Sequence, residues 1–365
     1  MSDYRPRVRE VGIEIGDYNP GRYNAITDVE GVKVGHTTLI EGEGALNPGK
    51  GPVRTGVTAV IPHEGNLFRE KVQAGVFVLN GFGKSVGLIQ IEELGNVETP
   101  ILLTNTLNVG IVMDALIEYM LRENPDIGVT TTSVNPVVCE CNDSFLNDIR
   151  GRHVRHRHVF ESLNKSRGGE VEEGSIGAGT GMSAYGFKGG IGTSSRVLAK
   201  GDGRYTVGVL VLSNFGRRED LRIDGVPVGR ELRFYGSESE RREGSVIVII
   251  ATDAPLNPRQ LKRVARRGTH GIARTGSYTG CRSGDIIIAF STKNKVLHGL
   301  SHKVSYEFLP EDSLDPIFKA TVEATEEAII NSLFRAETMV GRDGNVRYGI
   351  PINEVLKIMR KYGKI

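Results

Sequence analysis

Residues 241–255 read Arg-Arg-Glu-Gly-Ser-Val-Ile-Val-Ile-Ile-Ala-Thr-Asp-Ala-Pro. A charged segment ends at Gly244, and Ser245 begins a continuous run of aliphatic, mostly β-branched residues. A run of this kind, without polar alternation, is typical of a strand that is fully buried in the core. The abrupt change from charged to apolar residues places a glycine and a hydroxyl group at the edge of that strand.

Similar patterns lie on both sides of this strand. Further buried strands are predicted at residues 58–62, 74–80, 207–213 and 285–291. Apolar residues at helical spacing predict helices over residues 109–121 and 312–336. Asn257-Pro258 is a good helix start, and the helix that follows has Leu261, Val264 and Ala265 on its apolar face. These patterns predict an α/β fold with buried strands.

The segment from Phe215 to Gly244 separates two of the predicted core strands. It is rich in charged residues and poor in apolar ones, so we predict a mobile loop. Because both flanking strands belong to the core, the loop lies inside one fold and does not mark a domain boundary. Long loops of this kind are usually functional or disordered. With no internal repeat visible, residues 1–365 are predicted to form a single domain.

The composition is that of an ordinary soluble globular protein: of 365 residues, 39% are hydrophobic and 25% are charged. The formal net charge of +2 gives no reason to expect a nucleic acid or a membrane as partner. The N-terminus lacks the apolar region of a signal peptide, and no apolar run approaches the ~20 residues of a membrane span. Three cysteines fit a reducing compartment, so the sequence predicts a cytoplasmic protein.

Two glycine-rich segments resemble nucleotide-binding loops, but neither has the required spacing. Gly81-Phe-Gly-Lys-Ser would need a glycine where Val78 stands. Gly177-Ala-Gly-Thr-Gly-Met lacks the spacing of a dinucleotide fingerprint. The second segment is either a tight loop where backbones approach closely or a loop of a catalytic site. No cofactor is predicted.

Cysteine and histidine are not spaced for a metal site. The Cys-Glu-Cys segment at residues 139–141 lacks a second pair of ligands, so these thiols and that of Cys281 are predicted to be packed thiols. His153, His156 and His158 lie among arginines that would repel a cation, and we predict a solvated basic loop there. No metal is predicted.

A serine hydroxyl is a poor nucleophile at neutral pH unless a base takes its proton. The chain has no Gly-x-Ser-x-Gly motif, and the histidines that have an aspartate nearby, His36 and His63, lie in turn-like segments. A Ser-His-Asp triad therefore has little support. If the Gly244–Ser245 bond were cut, the new α-amine would lie beside its own Oγ. Such an amine has a reference pKa of about 7.7–8.0, which suits a base at neutral pH.

The cut itself is plausible chemistry. Ser245 Oγ can attack the carbonyl of Gly244 to form an ester, which water then hydrolyses. Glycine leaves that carbonyl unhindered and accepts strained backbone angles. Taken alone, however, a Gly-Ser pair is more often a simple turn at the start of a strand, so the choice depends on the rest of the chain.

Segments spread in a fixed order over about 260 positions carry the strongest signal. They are Tyr23-Asn-Ala-Ile-Thr-Asp-Val-Glu-Gly-Val-Lys-Val-Gly-His-Thr, Thr104-Asn-Thr-Leu-Asn-Val-Gly, Pro136-Val-Val-Cys-Glu-Cys-Asn-Asp, Gly177-Ala-Gly-Thr-Gly-Met, Lys188-Gly-Gly-Ile-Gly-Thr-Ser-Ser-Arg, Leu212-Ser-Asn-Phe-Gly, Gly244-Ser-Val-Ile-Val-Ile-Ile-Ala-Thr-Asp-Ala-Pro-Leu, and Ala273-Arg-Thr-Gly-Ser through Ser283-Gly-Asp. Together they resemble the family of L-aminopeptidase/D-esterases and β-peptidyl aminopeptidases, self-processing enzymes with a fold like that of the N-terminal-nucleophile hydrolases. The resemblance implies a four-layer αββα sandwich.

The resemblance also implies a nucleophile and its helpers. Ser245 is similar to the nucleophile at the scission site. Ser283 and Asp285 are similar to a serine and an acidic residue that assist proton movement around that nucleophile. Some relatives carry glutamate where this chain has Asp285, whose shorter side chain has less reach.

Two further roles concern the substrate. Asn214 is similar to a residue that donates a hydrogen bond to the oxyanion of the transition state. Glu140 is similar to the carboxylate that pairs with the free amino group of the substrate, and Asp143 is an alternative for that role.

The implied function is an aminopeptidase or amidase that works through an acyl ester on Ser245. It would first cut itself into residues 1–244 and 245–365, and relatives of this kind form homo-oligomers. One alternative is a self-processing acyltransferase of the ornithine acetyltransferase type, although those enzymes use threonine as nucleophile. The other is a relative that stays intact and is not catalytic. The substrate side chain and its stereochemistry are not predicted.

Overall fold

A computed structural model of the protein describes residues 4–232 and 244–365. The strands there are β1 (Lys33–Glu41), β2 (Val53–Ile61), β3 (Glu70–Gly81), β4 (Asn96–Val97), β5 (Ile101–Asn105), β6 (Val137–Cys141), β7 (Ser183–Ala184), β8 (Phe187–Lys188), β9 (Gly190–Val197), β10 (Thr206–Asn214), β11 (Gly244–Thr252), β12 (Ser283–Leu297), β13 (Met339–Val340) and β14 (Val346–Arg347). The helices there are α1 (Leu88–Leu94), α2 (Val109–Glu123), α3 (His156–Asn164), α4 (Val228–Glu231), α5 (Pro258–Arg274), α6 (Asp315–Phe334) and α7 (Ile352–Lys361).

Two sheets dominate this part of the chain. One has the strand order β1-β2-β5-β6, and the other has the order β4-β3-β12-β11-β10-β9. In the larger sheet, β11 pairs antiparallel with β10 and parallel with β12. All five strands that the sequence pattern predicts are confirmed: they are β2, β3, β10, β11 and β12.

Apolar side chains form three layers between these elements. One core lies between the larger sheet and helices α5 and α6, and a second lies between the two sheets. The third lies between the smaller sheet and helices α2 and α3. The predicted αββα sandwich is confirmed.

The central position of β11 explains its unbroken apolar sequence. Val246, Val248 and Ile250 belong to the core under the helices, while Ile247 and Ile249 belong to the core between the sheets. Because successive side chains of a strand point to opposite faces, a strand covered on both faces has no solvated positions to fill with polar residues.

The predicted helices are also present. Asn257 caps α5 by accepting a hydrogen bond from the Gln260 N–H at 2.9 Å, and the Gln260 side chain accepts one from the Asn257 N–H at 3.0 Å. Leu261, Val264 and Ala265 are fully buried, as the apolar face requires. The helices predicted at residues 109–121 and 312–336 are α2 and α6.

The prediction of a mobile loop from Phe215 to Gly244 is wrong for its first part. Leu221, Ile223 and Val226 are buried in the core under the larger sheet, and α4 follows them. Between Phe215 and Leu232, the few apolar residues of this charged segment are spaced so that they reach the core. Residues 233–243 lie outside the described part of the chain.

The predicted basic loop around the histidines is also wrong. Helix α3 begins at His156, and His158 is buried. His156 contacts the carboxylates of Asp114 and Glu118, both of which lie on α2. The neighbouring arginines suggested repulsion of a cation, but the carboxylates that contact His156 come from a distant segment.

Two smaller expectations need correction. Cys139 and Cys141 are buried, whereas Cys281 is exposed and is not a packed thiol. His36 lies within β1, where its Nδ1 is 2.9 Å from Thr58 Oγ1, and not in a turn. His36 follows Gly35, and the glycine suggested a turn in the sequence.

The described residues include no helix that combines the length and the apolar character needed to cross a membrane. In the same residues, no three His, Cys, Asp or Glu side chains lie together in an arrangement that could hold a metal ion.

Candidate active site

The ends of three neighbouring strands meet at Ser245. Ser245 pairs with Asn214 at the end of β10, and it pairs with Gly284 near the start of β12. Only 5% of the Ser245 surface is exposed. By strand alternation its side chain shares a face with Ile247 and Ile249, which lie between the two sheets. The hydroxyl group therefore lies at the end of the inter-sheet core.

The opposite sheet also reaches Ser245. Cys141 ends β6 and is fully buried, and its thiol lies close enough to the Ser245 hydroxyl group to interact with it. Its Sγ also donates to the Leu212 carbonyl oxygen at 3.6 Å. Burial raises the pKa of this thiol well above its ordinary value, against the lowering effect of the Ser245 hydroxyl group. A thiol held neutral in this way is a weak hydrogen-bonding partner for a serine.

Gly244, the residue before the serine, lies close to the preceding strand of the sheet. A Cβ atom at this position would be 3.1 Å from Phe215 Cα and 3.3 Å from the Asn214 carbonyl oxygen. These distances are shorter than ordinary carbon contacts, so the close approach favours glycine. The Gly244–Ser245 bond therefore lies against the end of β10.

The side-chain amide of Asn214 is held at both ends by backbone atoms. Its Oδ1 accepts a hydrogen bond from the Ser183 N–H at 2.9 Å, and its Nδ2 donates to the Asn142 carbonyl oxygen at 3.0 Å. A flipped amide would set donor against donor at Ser183 and acceptor against acceptor at Asn142. The orientation of Nδ2 is thus fixed, and its second N–H can donate to another group.

Ser283 and Asp285 form a hydrogen-bonded pair beside the β11 backbone. Ser283 Oγ donates to Asp285 Oδ1 at 2.6 Å, and the same oxygen accepts from the Val246 N–H at 3.1 Å. Burial raises the pKa of the Asp285 carboxyl above its ordinary value, whereas hydrogen bonds from Ser283, Thr279 and the Val246 N–H lower it. The shorter aspartate side chain therefore reaches the backbone one residue after Ser245.

Glu140 lies near the same strand ends. Its Oε1 accepts a hydrogen bond from the Lys84 N–H at 2.8 Å, and its Oε2 accepts one from the Thr106 hydroxyl group. A Cβ atom at Gly83 would lie 3.6 Å from Glu140 Oε1 and 3.6 Å from Gly284 Cα. One glycine thus separates the carboxylate from the strand position opposite Ser245. The carboxylate retains lone pairs for a further donor.

Asp143, the alternative to Glu140, has a different set of hydrogen-bond partners. Asp143 is fully buried, and its two oxygens accept hydrogen bonds from Asn105 Nδ2 at 2.9 Å and from Asn147 Nδ2 at 3.0 Å. Burial raises the pKa of Asp143 to about 6, although these hydrogen bonds lower it. Both oxygens of this carboxyl thus already have partners within the protein.

Sequence reasoning missed the support around Asn214. Lys188 is fully buried, and its Nζ donates to the carbonyl oxygens of Gly179 and Gly189. Gly179 belongs to the glycine-rich segment that begins at Gly177. This segment is a tight loop, and through the Gly179 carbonyl oxygen it also helps to hold the hairpin that contacts Asn214. That segment could have been connected to the site only through a strand pairing that the sequence does not reveal. Cys141 was noted, but as a packed thiol alone.

Comparison with known proteins gives consistent matches over nearly the whole chain. The model of Peptidase family S58 matches residues 24–347. The beta-peptidyl aminopeptidase BapA of Sphingosinicella xenopeptidilytica is 43% identical over 369 residues, covering 97% of this chain and 91% of that protein.

Two solved structures are similar in fold and in sequence. The PH0078 protein from Pyrococcus horikoshii OT3 has a TM-score of 0.95 and 59% identity, and the match covers 98% of this chain and 100% of that one. The L-aminopeptidase D-Ala-esterase/amidase of Ochrobactrum anthropi has a TM-score of 0.92 and 41% identity, with 99% of each chain covered. That enzyme is described as a prototype of the serine aminopeptidases and as a variant of the Ntn hydrolase fold.

Proposed function

The chain belongs to Peptidase family S58 and is a hydrolase of the aminopeptidase type, and from this premise we propose that it makes its own nucleophile by cutting the Gly244–Ser245 bond. The processed enzyme would then release N-terminal residues from peptides, amides or esters through an acyl ester on Ser245. The observation that carries this proposal is the meeting of Ser245, Asn214 and the Ser283–Asp285 pair at one end of the larger sheet.

Self-cleavage begins when Ser245 Oγ attacks the Gly244 carbonyl carbon. The C–N bond breaks, the serine nitrogen takes up the proton that leaves Oγ, and an ester links the Gly244 acyl group to Ser245 Oγ. Water hydrolyses this ester to give a carboxylate at Gly244 and a free amine at Ser245. The fixed Nδ2 of Asn214 supports the role of oxyanion donor in both the cut and the later reaction.

The second reaction uses the amine that the first one creates. A serine with a free α-amine carries its own general base, so no histidine is needed. Asp285 accepts from the Val246 N–H, one residue along the strand, which supports a role for the Ser283–Asp285 pair at the amine and not at Oγ. The substrate's leaving amine departs first, and water then attacks the acyl ester.

Glu140 provides the selectivity for a free N-terminus in this proposal. A carboxylate held by neutral donors keeps its negative charge uncompensated for a substrate ammonium group. A fixed distance between that charge and Ser245 would place the first peptide bond of the substrate at the nucleophile.

The two fragments are proposed to remain in one domain after the cut. Strands β11 and β12 come from residues 245–365 apart from Gly244, and they lie between β3 and β10 of residues 1–244. Separating the fragments would break two rows of strand pairing and expose the core. The cytoplasmic location and the homo-oligomeric assembly remain predictions from the sequence.

The test compares the wild-type protein with Ser245→Ala, using Ser313→Ala at an exposed serine as control. On a denaturing gel, the wild type and Ser313→Ala should give two bands of about 26 and about 13 kDa, in proportion to chain length. Ser245→Ala should give one band near 39.8 kDa and no hydrolysis of aminoacyl p-nitroanilides. Cleavage in Ser245→Ala would indicate an external protease, and an intact but active wild type would leave the mechanism without a base.

A further inference from the structure

The hairpin formed by β7 and β8 supplies one of the two groups that hold Asn214. Ser183 pairs with Lys188 in this hairpin, and the Ser183 N–H donates to Asn214 Oδ1 at 2.9 Å. The residue across from Ser183 is Lys188, which has no contact with a substrate in the proposed function. The position of the Ser183 N–H therefore depends on what holds the hairpin.

Lys188 ties the two ends of the hairpin together. Its Nζ donates to the Gly179 carbonyl oxygen at 2.9 Å and to the Gly189 carbonyl oxygen at 2.7 Å. These carbonyls flank the hairpin on either side, so one ammonium group sets the distance between its ends. The ammonium group is fully buried, which is costly unless an opposite charge lies nearby.

Asp143 is an acidic group whose charge acts on Lys188 without direct ion-pair contact. Burial lowers the pKa of Lys188, and the charge of Asp143 raises it. Asp143 follows Asn142, whose carbonyl oxygen accepts from Asn214 Nδ2. Gly181, just before the hairpin, lies against Asp143 and Arg54: a Cβ atom there would be 2.7 Å from Asp143 Cβ and 2.3 Å from the Arg54 carbonyl oxygen. Only glycine lets the hairpin lie this close to Asp143.

Each end of the Asn214 amide is therefore connected to one of two buried ionisable residues. The Oδ1 end is connected to Lys188 through Ser183, and the Nδ2 end is connected to Asp143 through the adjoining Asn142. Resting on the proposed function, we propose that Lys188 and Asp143 are positioning residues that together fix the Asn214 amide for its oxyanion role.

This arrangement has a consequence for catalysis. A donor stabilises an oxyanion only when its N–H points at the place where charge develops. A small rotation of Asn214 should therefore reduce the stabilisation of the transition state more than it reduces the affinity for the substrate. Loss of the pair should thus lower kcat and leave KM nearly unchanged. A pair with a merely structural role would instead lower the amount of folded enzyme, without changing kcat per processed site.

The experiment is a double-mutant cycle between Lys188→Met and Asn214→Ala on the processed protein. Asn214→Ala alone should lower kcat by about 10²–10³-fold, as for other oxyanion donors. Lys188→Met alone should lower kcat by about 10- to 100-fold, since misplacement by about 1 Å can cost that much. In the Asn214→Ala background, Lys188→Met should have almost no further effect on kcat.

Lys71→Met is the matched control. Lys71 is a largely buried lysine whose Nζ lies 3.2 Å from a buried carboxylate oxygen of Glu98, far from the hairpin along β3. Its substitution also removes a largely buried ammonium group, but kcat should remain within about twofold because no group near Asn214 moves. Each kcat is referred to the amount of cleaved chain on a denaturing gel. Where cleavage is slow and incomplete, the measured rate of self-cleavage replaces kcat in the same cycle.

The outcomes separate this inference from the proposed function. If Asn214→Ala leaves kcat unchanged, Asn214 is not an oxyanion donor. The part of the proposed function that depends on Asn214 is then wrong, and so is the positioning role of Lys188 and Asp143. If Asn214→Ala is severely impaired but Lys188→Met lowers kcat equally in both backgrounds, the positioning role alone is wrong. Should Lys188→Met not fold, Lys188→Arg serves in the same cycle, because it keeps the charge but changes the donor geometry. A Lys188→Arg enzyme with wild-type kcat would overturn the inference.

Discussion

Two groups of buried charged residues are built differently, one on β9 of the larger sheet and one near the end of β6 and the start of β12. On β9, Arg196 forms ion pairs with Glu323 and Glu327 of α6, at N–O distances of 3.3 and 2.7 Å. At the other strand ends, Asp143 and Asp285 accept hydrogen bonds mainly from amides, a hydroxyl group and backbone N–H groups. We call the first the paired cluster and the second the site cluster.

The difference indicates what each cluster does. In the paired cluster each charge meets an opposite charge at bonding distance, so the cluster holds segments together. In the site cluster neutral donors leave the charges only partly compensated, and burial shifts the pKa of Asp143 to about 6 and that of Lys188 to about 7. Perturbed groups of this kind are concentrated at functional sites. Mutations in the first cluster should therefore act on stability, and those in the second on catalysis.

The largest effect is expected from Glu327→Gln in the paired cluster. Arg196 and Arg9 would both lose a carboxylate partner while Arg196 stays buried, which should lower the free energy of unfolding by about 3–5 kcal/mol. The measurement is urea unfolding in a Ser245→Ala background, where the chain remains uncut. In the processed enzyme, kcat of the folded fraction should not change. A reduced kcat would show that the two clusters are not separate in function.

Glu140→Gln should have the opposite profile. It removes the charge that the substrate ammonium group needs, and kcat/KM for an aminoacyl p-nitroanilide should fall by about 100-fold, from the loss of about 3 kcal/mol of a buried charge pair. Self-cleavage should be unaffected, because the Gly244–Ser245 bond has no ammonium group before it. The unprocessed fraction on a gel is the internal control. A parallel loss of self-cleavage would assign Glu140 to Ser245 itself and not to the substrate.

His36 tests whether support for the site cluster depends on pH. Burial, with a smaller contribution from Arg167, lowers the pKa of His36 to about 4. The unfolded chain takes up a proton near pH 6.5 and the folded chain only near pH 4, so stability should be lost as the pH falls between these values. The loss should be on the order of 2 kcal/mol.

The comparison is with His36→Gln in the same uncut background. That variant can keep a hydrogen bond to Thr58 but has no group that titrates in this window, so its stability should change less between pH 7 and pH 4.5. Equal acid sensitivity in the two proteins would place the titrating group elsewhere.

Elements with a strong local sequence signal were predicted correctly. The unbroken apolar run of β11 and the Asn257 cap of α5 are local signals, and both elements were predicted from them. The sandwich and the residues Ser245, Asn214 and Asp285 came from the resemblance. Their convergence depends on β10 and β12 being neighbours of β11, which no local pattern encodes.

What could not be predicted is mostly long-range pairing. Helix α3 looked like a basic loop because the carboxylates that contact His156 lie on α2. The apolar residues between Phe215 and α4 gave no periodic pattern, yet they are buried. The role of Lys188 could not be predicted from its glycine-rich segment, because its partners are backbone carbonyl oxygens, which every residue has.

The smallest effect is expected where a charge pair joins the same two fragments at the surface. Lys361 of α7 contacts Glu231 of α4 at 2.9 Å, and the two lie on opposite sides of the proposed cut. Because both side chains are partly solvated, water replaces the lost contact in Lys361→Gln, and the thermal midpoint should remain within about 1 °C of the parent in the uncut background. Measured beside Glu327→Gln, this variant separates burial from the mere joining of fragments. A large shift of the thermal midpoint would mean that any contact between residues 1–244 and 245–365 stabilises the fold, whether or not its charges are buried.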